Sequence, residues 1–132
     1  MIKILLKGGL GNQMFQYAYG RKKNADGVNV IFNKSELEYG EEKGITKRYL
    51  SIDKFNIDQY IKIENKKLFF KNIFSRISFL QNNDFTVRYN RYFSQKRNGL
   101  ANGYFQTEKY FKNIREILLE EFTLKEEYQS EK

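Results

Sequence analysis

The first 32 residues constrain the fold more than any other stretch. Ile2-Lys3-Ile4-Leu5-Leu6 is a short apolar run that reads as a buried strand. Gly8-Gly9-Leu10-Gly11 follows as a tight glycine turn, and Asn12 is a suitable N-cap for a helix. Met14, Phe15, Ala18 and Tyr19 recur at helical spacing. Arg21, Lys22 and Lys23 lie where a helix C-terminus favours cations and read as a solvated helix end. Gly27 closes the unit, and Val28 to Phe32 is a second β-rich run. Strand, glycine loop, helix, strand is a βαβ unit, which requires a parallel sheet. The predicted fold class is therefore α/β, with a Rossmann-like parallel sheet and flanking helices.

The rest of the chain is less regular. Residues 33–50 are polar and glycine-punctuated and read as a long loop. Over 66–81, Phe69, Phe70, Ile73, Phe74, Ile77 and Leu80 share one helical face. That stripe fits packing on the sheet, or a helix on a membrane surface, since Lys66, Lys67, Lys71 and Arg76 surround it. A short strand is expected at Phe85 to Tyr89 and another at Leu100 to Phe105. Thr107 can cap a final helix with Glu108 in its first turn, and Tyr110, Phe111, Ile114, Ile117, Leu118 and Phe122 form its apolar stripe. The predicted organisation is one lobe over 1–124, carrying a variable loop and helix insertion over 33–99, and a polar tail over 125–132.

Composition excludes several chemistries. The 132 residues contain no cysteine, which removes disulfides, zinc–thiolate sites and cysteine nucleophiles, and no histidine, which removes every Ser–His arrangement. Lys and Arg number 24 against 16 acidic residues, and the net charge of +8 favours acidic partners. The opening apolar run is broken by Lys3 and Lys7, and no window reaches about 18 uncharged apolar residues, the length of a membrane span. A cytoplasmic location is expected, with at most peripheral association at the inner face of the membrane. Nucleic acid is disfavoured as a partner, because the cations are scattered along the sequence and no RNP, KH or helix-turn-helix pattern occurs.

The glycine loop carries the chemistry. Glycines between a strand and a helix let a ligand approach the backbone, and the N–H groups of the helix end can bind an anion such as a pyrophosphate. Asn12 and Gln13 add side-chain donors and acceptors; the competing reading is a plain turn with Asn12 as its cap. A dinucleotide fingerprint fits badly: Gly9-x-Gly11 is present, but Met14 stands at the third glycine and Asn33 where an acidic ribose ligand belongs. A Walker loop is excluded, because no Gly-Lys-Ser/Thr follows.

Gly8-Gly9-Leu10-Gly11-Asn12-Gln13-Met14-Phe15-Gln16-Tyr17-Ala18 resembles the opening motif of glycosyltransferase family 11, the α-1,2-fucosyltransferases. Asn102-Gly103-Tyr104-Phe105-Gln106-Thr107-Glu108-Lys109-Tyr110-Phe111 resembles that family's G-Y-[WF]-Q-[ST]-E-K-Y-F stretch, with Glu121-Phe122-Thr123 ending the helix behind it. Arg48-Tyr49-Leu50 followed by Phe55-Asn56-Ile57 is similar to a weaker R-x-Y-x-L…F-x-I pattern.

The resemblance implies the N-terminal lobe of a two-lobed GT-B architecture. It also implies transfer of fucose from GDP-fucose to a galactoside 2-hydroxyl, with inversion, no cofactor and no required metal. The implied partners are that sugar nucleotide and a galactoside acceptor, and the implied substrate-binding residues are Gly9, Leu10, Gly11, Asn12, Gln13 and Gln106, with Asn12 nearest the reacting sugars. The family's donor motif, H-x-R-x-G-D, does not occur in these residues. The expectation is an N-terminal half without its C-terminal lobe and inactive alone, because removing a single donor to the departing charge already lowers a rate by about 10²–10³. The alternative is a nucleotide- or glycan-binding α/β module acting with a partner subunit. No catalytic base is assigned: Glu36, Glu38 and Asp53 lie near loops and read as surface. Tyr104, Phe105, Tyr110 and Phe111 can stack on a sugar or base but read first as core. Gln106, Glu108 and Lys109 stand at a strand-to-helix junction, where α/β folds place ligands.

Overall fold

The computed structural model describes residues 1–37, 48–57, 59–67 and 88–129. Its sheet has four parallel strands: β1 (Ile2–Leu5), β2 (Val30–Asn33), β3 (Lys62–Glu64) and β4 (Gly99–Ala101), in the order β3-β2-β1-β4. Ile4 aligns with Phe32 on one side and Ala101 on the other. The long helix α1 (Leu10–Ala25) connects β1 to β2. Two short helices, α2 (Arg91–Gln95) and α3 (Arg115–Glu121), flank the second half. Among the described residues no helix is long and apolar enough to cross a membrane.

The βαβ unit forms as its sequence predicts, and α1 buries Ala18 and Tyr19 together with polar positions that the apolar spacing does not mark. Gln13, Gln16, Tyr17, Gly20 and Arg21 are buried, at spacings of three and four, while Met14 and Phe15 are half-buried. Gly20 is needed there: a Cβ on it would stand 2.4 Å from Phe32 Cζ and 2.6 Å from Ile4 Cδ1. The expected solvated helix end is also corrected. Arg21 and Lys23 are buried. Arg21 Nε donates to both oxygens of Glu121 on α3, at 3.1 and 3.0 Å, and the Tyr17 hydroxyl donates to the same carboxylate. This buried ion pair joins α1 to α3. Breaking it on one side would leave an uncompensated buried charge.

The expected insertion over 33–99 is partly woven into the lobe. β3 pairs with β2, and Ile52, Phe55 and Ile57 join the core. Of the helix expected over 66–81, residues 68–81 lie outside the described residues, as do Phe85 to Val87 of one expected strand; Arg88 to Asn90 is irregular. β4 ends at Ala101, well short of Phe105. The expected final helix is broken in two. Thr107 caps a single 3₁₀ turn, Glu108–Phe111, and Asn113, in the left-handed region at φ 73°, resets the chain before α3. Tyr110, Ile114 and Leu118 still reach the core across that break. The start of the polar tail docks, with Lys125 N donating to Lys54 O at 2.9 Å.

Candidate functional site

The C-terminal ends of β1 and β4 lie side by side, and the two segments that follow them meet. Gly8 takes a left-handed φ of 78°, and a Cβ there would fall 2.4 Å from Asn12 Nδ2, so only glycine lets Asn12 fold back over the turn. Gly9, not Asn12, is the N-cap of α1, and it brings no side-chain cap. The first turn closes with Gln13 N donating to Gly9 O at 3.0 Å. The N–H groups of Leu10, Gly11 and Asn12 therefore precede the intrahelical ladder and point out of the helix end. Gly11 is exposed, with nothing within 4 Å of where its Cβ would be. The Arg48 guanidinium stands beside the cap: its Nη1 is 3.4 Å from the Cβ position of Gly9.

Asn12, displaced from capping, has a different partner. Its Oδ1 accepts from Gln106 Nε2 at 2.5 Å, across 94 residues of sequence. Gln106 is exposed and follows Phe105, whose backbone is left-handed at φ 53° while its ring is fully buried.

Gln13, expected among the substrate-binding residues, faces inward and is buried. Its Nε2 donates to Gly8 O at 3.0 Å and Tyr49 O at 2.8 Å, and its Oε1 accepts from Ser51 N at 2.8 Å. The amide is fully engaged in tying the glycine turn to residues 49–51. Gln16 has a matching role that spacing alone did not reveal, bonding both Lys7 N (3.0 Å) and Lys7 O (3.1 Å). Two buried glutamines three residues apart on the helix below a glycine turn are the signal, since buried amides need partners.

Lys7 reaches over the Tyr104 ring, with Nζ 4.5 Å from the centroid. Burial pushes its ammonium below the usual lysine range, and the Glu36 carboxylate opposes that shift. Of the three carboxylates read as surface, Glu36 thus lies near the turn, Asp53 sits in the 3₁₀ turn Ile52–Lys54, and Glu38 is outside the described residues. Phe105 and Tyr110 are core, whereas Tyr104 and Phe111 are half-buried. Glu108 and Lys109 are exposed in the 3₁₀ turn behind Gln106.

A carboxylate does reach Asn33, from β3. Glu64 Oε1 accepts from Asn33 Nδ2 at 3.0 Å and from Lys3 Nζ at 2.8 Å. The Lys3 contact holds the Glu64 carboxyl below the usual carboxylate range; burial opposes it, and the Asn33 hydrogen bond adds to it. Among the described residues no group of three or more acidic side chains gathers to hold a metal ion.

Described residues border a cavity of about 470 Å³ beside Tyr60 and Glu121 and another of about 450 Å³ along α3. The glycine loop borders neither. Its exposed N–H groups and the Asn12–Gln106 pair form an open edge, which is where parallel sheets bind ligands. Comparison of the chain with protein-family models, curated proteins and solved structures finds no match.

Proposed function

We propose that this chain supplies one wall of a sugar-nucleotide crevice, in the manner of the N-terminal lobe of an inverting α-1,2-fucosyltransferase with GDP-fucose as donor and a galactoside as acceptor. The observation that carries the reading is the Asn12–Gln106 hydrogen bond. It joins the two sequence blocks that resemble that family, at the strand ends where an α/β sheet takes ligands. Asn12 and Gln106 retain amide donors and carbonyl acceptors suited to sugar hydroxyls. The helix N–H groups beside Arg48 suit a phosphate. Gly9, Leu10 and Gly11 offer backbone, Asn12 and Gln106 offer side chains, and Gln13 holds the loop from beneath. With no histidine and hence no H-x-R-x-G-D motif, these residues are expected to bind without turnover.

Titration of the ¹⁵N-labelled chain with GDP-fucose, and separately with a galactoside, tests this. Expected are shifts confined to Gly9–Asn12, Arg48 and Gln106, with no fucose transferred. Gly11→Ala should weaken binding by about tenfold, because its methyl would occupy ligand space beside an otherwise unperturbed helix end. Absence of shifts at the glycine loop with either ligand overturns the reading. Shifts with nucleotide alone, equal for any sugar attached, would favour a nucleotide-binding module instead.

A further inference from the structure

The charge excess is not spread evenly over the fold. Between Asp84 and Glu108 the sequence has no acidic residue but four cations, Arg88, Arg91, Lys96 and Arg97. α2 displays this stretch at the N-terminal edge of the sheet, where Gly99 N donates to Met1 O at 3.1 Å. Phe93, buried against the Phe105 ring at 5.5 Å, anchors the helix. Asn90 caps it, accepting from Tyr92 N at 2.8 Å. Arg88, Tyr89, Arg91, Tyr92 and Arg97 are left exposed. The end of α1 adds to them: Lys23 Nζ donates to Ser94 O at 2.5 Å. Burial brings the Lys23 ammonium to about 8, with Arg97, Lys96 and Lys22 adding repulsion and Asp26 opposing. Asp26, paired with Lys22 at 3.2 Å, is the acid that acts on Lys23.

We propose that this edge is a docking surface for an anionic lipid bilayer. Uncompensated cations around exposed tyrosines are what a headgroup layer binds. Tyr92 is 60% and Tyr89 44% exposed. Their rings are already engaged, Tyr92 under the Lys96 ammonium at 5.1 Å and Tyr89 against Tyr110 at 5.3 Å. Stacking of nucleic-acid bases needs free ring faces along a groove, and the cavities beside Tyr60 and along α3 lie elsewhere. Because β1 and β4 run parallel, the glycine loop is at the opposite edge and would face away from the bilayer. The inference is independent of what that loop binds.

Vesicle flotation tests it, using phosphatidylcholine vesicles with and without phosphatidylglycerol. The chain should float only with the anionic vesicles, and less as salt rises. Replacing Arg91, Lys96 and Arg97 together by Gln should lower partitioning on the order of a hundredfold, at about fivefold per cation. Replacing Lys54, Lys62 and Lys66 by Gln removes the same charge elsewhere and should change it far less. All six sites are at the surface, and circular dichroism checks that both variants fold. Equal losses in the two variants, or no flotation with anionic vesicles, overturn the proposal. So does binding of a labelled single-stranded oligonucleotide by a chain that ignores the vesicles, which would assign the patch to nucleic acid.

Discussion

Two glycines of α1, nine residues apart, should respond oppositely to one added methyl group. At Gly20 the new Cβ would meet Phe32 Cζ at 2.4 Å, Ile4 Cδ1 at 2.6 Å and Phe32 Cε1 at 2.9 Å. Carbon atoms rest at about 3.5–4.0 Å, so two core side chains would each have to retreat by roughly 1 Å. Phe32 has little freedom to do so, because its ring stacks on Tyr17 with centroids 5.6 Å apart. Overpacking of this kind costs about 1–3 kcal/mol, while alanine in place of a helical glycine regains about 1 kcal/mol. Gly20→Ala should therefore destabilise the fold by up to about 2 kcal/mol. At Gly11 nothing lies within 4 Å, only the propensity gain remains, and the change should stabilise by about 0.5–1 kcal/mol. Urea unfolding followed by far-ultraviolet circular dichroism and tyrosine fluorescence would measure both, at unchanged slope. If Gly20→Ala stabilises the fold as much as Gly11→Ala does, α1 does not press on the sheet at Ile4 and Phe32, and the placement of the glycine loop above it loses its support.

Two further substitutions test the loop and the buried lysine. Gln13→Ala should cost about 2–4 kcal/mol, because it strands Gly8 O, Tyr49 O and Ser51 N, and should speed hydrogen exchange at Ser51; a loss under about 0.5 kcal/mol would mean that this amide does not hold the turn. Lys23 titrates at about 8 in the fold against 10.5 when free. Between those values the unfolded chain binds more protons, so stability rises with pH. Relative to Lys23→Met, the parent should gain about 1–2 kcal/mol from pH 8 to pH 10, and a flat difference would show that the ammonium is not desolvated.

The elements legible in the sequence are those that carry their own apolar run. β1, α1 and β2 announce themselves by a change from contiguous apolar residues to glycine and then to helical spacing. β3 has only Lys-Ile-Glu; it is a strand because β2 offers it an edge, and no local pattern records that. Asn113 breaks the last helix without disturbing its stripe, since Tyr110, Ile114 and Leu118 keep facing the core on both sides of the break. A periodicity argument therefore runs straight through. The place of Gln13 beneath the turn escapes the pattern for a related reason. Asn12 suits a cap, but the helix begins three residues earlier than a side-chain cap there requires, at a glycine that needs none. That leaves Gln13 under the turn and Asn12 on its rim.

What spacing could never supply is the meeting of Asn12 with Gln106. It depends on the parallel register that sets Ile4 beside Ala101, and then on the turn at Phe105. A bulky residue held at φ 53° costs about 1–2 kcal/mol. The ring explains why the chain accepts it. Fully buried, it stacks on Tyr19 at 3.8 Å and meets the edges of Phe93 and Tyr110 at 5.5 and 5.4 Å. Burying a phenylalanine side chain is worth about 1.5–3 kcal/mol, enough to offset the strain. The backbone then closes tightly, with Thr107 N donating to Phe105 O at 2.8 Å, and the residue between them is Gln106. The strained position thus separates two demands, sending one side chain into the aromatic core and turning the next outward over the end of β1. The strain at Phe105, offset by the packing behind it, therefore fixes the direction in which the Gln106 amide leaves the chain.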